Sequence, residues 1–274
     1  MWYCLVASLF FLPFYRRAAL GLLAVTLVIG TINSTLQPPA LAALGALGGV
    51  AFFCYRQKAR NKLALAGEAF LVAGSVALML HLLPGFHNLK IVSGALAGPQ
   101  SAPFTFYYNF DKALIPFVLL GCLPTLLKRP ATPPGNRLWW LVLLLSMPLL
   151  LLFATLAGGL RVEPHYPEWL GAFMLANLFF VSFAEEALFR GYIQQRLSQR
   201  FGNLWALLAT AVLFGLVHYP GGPLLVFFAA LTGVIYGLAW QWSGRVWVAA
   251  LVHFAFNLLH LLFFTYPFWY HQPG

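Results

Sequence analysis

The sequence predicts an all-α fold, a polytopic transmembrane helix bundle of about 8–10 spans. Three observations carry this. The 274-residue chain is 61% hydrophobic and only 8% charged, with a mean hydropathy of +0.81, whereas a soluble domain carries about 25% charged residues. Apolar runs recur along the whole chain, most of them near the roughly 20 residues that a helix needs to cross a bilayer. Strand-period alternation is absent, which argues against a β-barrel.

The candidate spans, in order, are about 2–14, 18–32, 39–55, 63–84, 113–127, 138–160, 170–189, 203–219, 223–242 and 246–268. The first is too short to count as a full span on length alone, and 18–32 and 113–127 are also short. If these spans alternate, the loops sort by charge. Arg16 and Arg17, the basic 56–62 loop, Lys128, Arg129, Arg137, Arg190, Arg196, Arg200 and Arg245 fall on one side, which is thirteen of the sixteen Lys and Arg residues. Lys90, Lys112 and Arg161 fall opposite. The rule that cytoplasmic loops are rich in Lys and Arg makes the first side cytoplasmic. The tail after Tyr270 then lies outside.

The linker 128–137 divides the chain. Residues 1–127 form an N-terminal set of helices with an outer loop at about 85–112, rich in Gly, Pro and aromatic residues. Residues 138–270 form a second helical bundle. The net charge of +10 has no basic stripe with exposed aromatics, so it fits a lipid bilayer and not nucleic acid. Cys4, Cys54 and Cys122 lie apart in apolar segments with no metal spacing, as packing residues do. The first apolar run lacks the basic start of a cleavable signal peptide.

Against this background, FAEEALFRG at 183–191 is costly. A charge at a helix centre costs roughly 2.5–3.5 kcal/mol to insert, and each large apolar residue returns only about 0.3–0.6. Such a helix should need neighbouring helices and a polar cavity. Glu186 and Arg190 are spaced i, i+4 and can pair, with the arginine reaching toward cytoplasmic headgroups. Glu185 points about 100° away. His218 closes LFGLVH, and His253 and Asn257 share one helix face in HFAFN. Two further histidines, His81 and His260, read as helix–helix hydrogen bonds.

Glu185, His218, His253 and Asn257 on three spans can converge on one site. A carboxylate and a histidine can hold a water and take its proton. A second histidine and an amide can donate to a developing oxyanion. Together they describe peptide hydrolysis. No GxSxG, HExxH or GxGD motif is present. A zinc-dependent membrane hydrolase with Glu185, His218 and His253 as ligands is the alternative chemistry. A non-catalytic scaffold or immunity protein is the alternative without chemistry.

These residues resemble the CPBP family of CAAX proteases and bacteriocin-processing (Abi) proteins. The chain carries EExxxR as Glu185 to Arg190, FxxxH as Phe214 to His218, and HxxxN as His253 to Asn257, in that order, within roughly residues 170–260. The resemblance implies a metal-independent glutamic intramembrane endopeptidase acting on a membrane-associated protein or peptide, with no cofactor. It implies Glu185 as general base, His218 as a second hand on the water, and His253 and Asn257 as the oxyanion site. Glu186 and Arg190 would support them. The expected setting is a bacterial inner membrane, with the cavity opening toward the cytoplasmic half because Glu185 lies only about five residues, roughly 7.5 Å of rise, from an expected helix end at Arg190.

Overall fold

The computed structural model describes residues 1–57 and 61–270. Residues 58–60, in the basic loop, and the tail 271–274 lie outside the described residues. The helices are α1 (Trp2–Phe11), α2 (Arg16–Ile32), α3 (Pro38–Arg56), α4 (Lys62–Met79), the short α5 (Phe110–Ala113) and α6 (Ile115–Leu119), α7 (Leu138–Leu156), α8 (Leu170–Phe201), α9 (Asn203–Leu216), α10 (Pro223–Ser243) and α11 (Val246–Phe263). By length and composition, six of them can cross a membrane: α3, α4, α7, α8, α10 and α11. The helices α1 and α9 are apolar but shorter.

Contacts between loops define two ends of the bundle. At one end Arg16 Nη2 donates to the Pro124 carbonyl (2.7 Å), Arg129 Nη1 to Ser198 Oγ (3.1 Å), and Lys128 pairs as a bridge with Arg245. Arg196 reaches the Cys122 carbonyl and Glu68 there. At the other end Leu36 bridges to Phe86, Val162 to Phe264 and Ser101 to Trp269. The cation-rich loops therefore gather at one end, as alternation of the spans requires.

Two expected spans change shape. Residues 113–127 do not form one spanning helix. Pro116, Gly121 and Pro124 punctuate the run, so it makes α5, α6 and a series of turns. It still passes from Asp111, bonded to His81 at the cation-poor end, to Pro124 at the cation-rich end. Ile115, Leu119 and Leu126 are fully buried. Irregular backbone at membrane depth is tolerated where protein, not lipid, surrounds it. Gly191 allows this close approach, since a Cβ there would stand 2.9 Å from the Leu126 carbonyl oxygen.

The other change is α8, which does not stop near residue 189 but continues to Phe201. Its most apolar window is 67% buried, against 11–44% for the other five long helices. This is the burial that a helix carrying two carboxylates and an arginine requires. It wraps no lipid-facing stripe like that of α3; it is the centre of the bundle.

The outer loop at about 85–112 holds a strand pair. Leu89–Ala95 (β1) and Phe104–Tyr108 (β2) pair as an antiparallel hairpin. Asp111 and Asn88 fasten its base: Asn88 Nδ2 donates to Asp111 Oδ1 (3.0 Å), and Asn88 Oδ1 accepts from Phe110 N (2.8 Å). Trp2 of α1 packs its ring against Tyr108, Phe110 and Phe180. One hydrophobic core runs from Leu5 to Phe264 and joins both halves of the chain.

Candidate active site

The carboxylate pair sits between two stretches of π-helix, Ala176–Ser182 and Ala187–Gln194, with Phe183–Glu186 α-helical between them. Single π turns inside α-helices recur at functional sites because they shift the side-chain phase. The shift is visible here. Ser182 Oγ donates to Asn177 Oδ1 at 3.2 Å, five residues back. Five residues of α-helix turn about 500°, which would leave these side chains about 140° apart. In the wider π turn they face one another.

Glu186 and Arg190 are both 0% exposed. Arg190 Nη1 donates to Glu186 Oε1 at 2.8 Å, and Nη2 to the Gly233 carbonyl at 2.8 Å. The guanidinium also lies 4.6 Å from the Phe214 ring centroid and 5.3 Å from that of Tyr236. Arg190 therefore does not reach headgroups. It is a buried post binding α8 to α9 and α10. Gly215 permits that packing, because a Cβ there would stand 2.6 Å from the Val226 carbonyl oxygen.

Glu186 Oε1 also lies 2.9 Å from His253 Nδ1. Beside a carboxylate, Nδ1 carries the proton, so Nε2 is left for other work. The His253 ring stacks on Tyr236 with centroids 4.4 Å apart and planes 12° apart. His218 Nδ1 meets the Phe214 carbonyl at 2.8 Å. A carbonyl only accepts, so Nδ1–H donates and His218 Nε2 presents a lone pair. Asn257 Nδ2 donates to Asn177 Oδ1 at 3.2 Å, which leaves its second N–H free.

Glu185, His218, His253 and Asn257 all line one cavity of about 600 Å³, within the range of small-molecule and peptide sites. Glu186 does not line it. The adjacent carboxylates thus face different surroundings: Glu186 inward to Arg190 and His253, Glu185 into the cavity. The rest of the wall is mostly apolar, including Phe104, Leu151, Phe173, Leu225 and Phe256.

Two polar groups at the site carry no signal in the sequence. Lys112 Nζ lies 3.6 Å from Glu185 Oε1, with side chains only 17% and 12% exposed. Its position at a loop edge gave no sign of this, because the contact depends on α5 folding inward. Asn177, which holds Asn257, lies eight residues before Glu185 and reads as one more polar residue in an apolar run. The histidines read as packing groups also sit at the cavity. His81 bonds Asp111 through Nδ1 (2.6 Å), and His260 Nε2 meets the Thr265 carbonyl (3.1 Å). Among the described residues, no cluster of three or more His, Cys, Asp or Glu side chains is placed to hold a metal.

The cavity opens opposite to expectation. Its lining includes His81, Thr105, Tyr107, Gly159 and Phe268, all from the cation-poor end, and, among the described residues, none of the cation-rich loops. The cause is the length of α8. Arg190 is not a helix end, so Glu185 lies deep in the bundle and is reached from the Leu170 side.

Comparison with known proteins adds a family. Residues 167–259 match the Rce1-like family model, described as type II CAAX prenyl endopeptidase Rce1-like. The matched segment includes Glu185, His218, His253 and Asn257 and covers about a third of the chain. No curated protein and no solved structure matches. Residues 167–259 are therefore similar to the CAAX prenyl endopeptidases of the Rce1-like family.

Proposed function

We propose that the protein is a glutamic intramembrane endopeptidase that hydrolyses a peptide bond of a membrane-associated polypeptide, with Glu185 as general base. The observation that carries this reading is the meeting of Glu185, His218, His253 and Asn257, from α8, the α9 end and α11, in one largely apolar cavity.

Each role follows from an atom left free. A water placed between the Glu185 carboxylate and His218 Nε2 gives its proton to Glu185 as its oxygen attacks the carbonyl carbon. The oxygen–carbon bond forms and the carbonyl oxygen gains negative charge. The free N–H of Asn257 donates to that charge, and a proton on His253 Nε2 would add a second donor beside the Nδ1–H held by Glu186. The carbon–nitrogen bond then breaks, and Glu185 returns the proton to the leaving amine. Apolar walls such as Phe256 and Phe214 keep bulk water out and strengthen these interactions. The helices of 1–127 act as scaffold, supplying the hairpin at the mouth and Lys112.

The test is cleavage of a membrane-anchored peptide library by the purified protein in nanodiscs, with Glu185→Gln as control. The reading expects product from the wild type and none from the variant. Equal product from both, or no cleavage by folded wild type across the library, counts against it.

A further inference from the structure

We infer that the substrate reaches this site from the extracytoplasmic side, as an uncharged, apolar segment of an exported or membrane-anchored polypeptide. This deepens the protease reading by naming the side and the chemistry of the substrate.

The inference rests on two asymmetries that coincide. The first is charge. The loops at the end holding Arg16, Arg129, Arg196 and Arg245 carry most of the cations, which assigns that end to the cytoplasm. The three cations of the other end are occupied locally. Lys90 lies over the Tyr107 ring (5.6 Å), Arg161 over the Trp269 ring (4.0 Å), and Lys112 turns inward to Glu185.

The second asymmetry is the cavity. Every helix that lines it does so mainly with its cation-poor half: Leu150 to Ala154 of α7, Phe173 to Glu185 of α8, Phe214 near the end of α9, Leu224 to Thr232 of α10 and Phe256 to His260 of α11, with Tyr236 and His253 just past the midpoints of α10 and α11. Tyr236, Phe214 and the buried Arg190 close the floor toward the cytoplasm. A prenylated tail lying in the cytoplasmic leaflet would meet this floor and not the opening.

The mouth also says how a chain would enter. Phe104, Thr105, Phe106 and Tyr107 of β2 all border the cavity. Successive strand residues point to opposite faces, so four in a row can border one space only along the strand's edge. β1 pairs with one edge of β2, and among the described residues the sheet has these two strands. The other edge offers backbone hydrogen bonds to an extended segment. Among the described residues, Glu185 is the one carboxylate lining the cavity and no Lys or Arg lines it, so a charged segment would be poorly solvated there.

Cysteine accessibility in whole cells tests the side without relying on activity. Thr105→Cys and Phe268→Cys mark the mouth, and Arg137→Cys marks the cation-rich end. Cys4, Cys54 and Cys122 are replaced by Ala; if that background fails to fold, the same substitutions are read against the wild-type baseline. With a membrane-impermeant maleimide, the mouth cysteines should react in intact cells and Arg137→Cys only after permeabilisation. The reverse pattern overturns the inference while leaving the protease reading intact. In nanodiscs, where both sides are open, a bulky maleimide at Thr105→Cys should slow peptide cleavage at least about tenfold, and at Arg137→Cys should not. Unchanged cleavage after full Thr105→Cys labelling would show that this mouth is not the entrance.

Discussion

Glu186 Oε1 stands 2.9 Å from His253 Nδ1 and 2.8 Å from Arg190 Nη1, so one buried oxygen ties α11 to α8. The carboxylate that the motif places first, Glu185, makes neither contact. Two neighbours in sequence therefore divide the work: Glu186 holds the framework, and Glu185 meets the cavity.

That division predicts opposite outcomes for the two conservative variants. Glu186→Gln leaves the buried guanidinium and imidazole without their shared anion, a change worth about 3–5 kcal/mol. Thermal unfolding in detergent should show a large loss of stability, while any remaining activity keeps its pH profile. A stable Glu186→Gln protein with a displaced pH profile, beside a still active Glu185→Gln, would assign the base to the wrong glutamate.

Lys112 holds the cavity carboxylate from one side, 3.6 Å from Oε1. Lys112→Met should lower kcat roughly tenfold, about 1.4 kcal/mol of barrier, with KM nearly constant. Lys112→Arg should recover most of the rate. Steady-state kinetics on one peptide suffice, and a Lys112→Met enzyme with wild-type kcat would reduce the contact to packing.

Asn257 acts only on the oxyanion in this account. Asn257→Ala should cut turnover about a hundredfold or more, with fold and substrate affinity close to wild type. Asn177→Ala, which removes the acceptor that orients Asn257, should cost less. A loss confined to KM in Asn257→Ala would place the amide in binding instead.

Much of this was legible beforehand. Bulk composition dictates a helical membrane bundle, and the motif residues 185, 186, 190, 218, 253 and 257 all surround one centre in the structure. The failures have a common cause. Arg190 looks like a helix end because arginines in apolar runs usually reach for headgroups, but here the ring of Phe214, the Gly233 carbonyl and Glu186 replace water around it. That one misplacement reversed the expected opening of the cavity. The π turns, the β2 edge and the Lys112 contact depend on tertiary packing, and no local pattern at Asn177 or Lys112 announces them.

Zinc offers a separate check on the chemistry. Water activation by Glu185 and His218 expects chelators to leave the wild type active and added Zn²⁺ to leave His218→Ala inactive. Elemental analysis should find no stoichiometric zinc in either protein. Tightly bound zinc that tracks with activity, and is lost in His218→Ala, would replace this mechanism with a metal-dependent one.

The central claim is that Glu185 takes the proton of the attacking water. Its most direct test is the single-turnover cleavage rate of Glu185→Gln in nanodiscs, measured beside the unfolding temperature and peptide affinity of the same protein. The account predicts wild-type stability and affinity with a rate at least about a hundredfold lower, the scale of a lost general base. A folded Glu185→Gln protein that cleaves within a few-fold of the wild-type rate would contradict it.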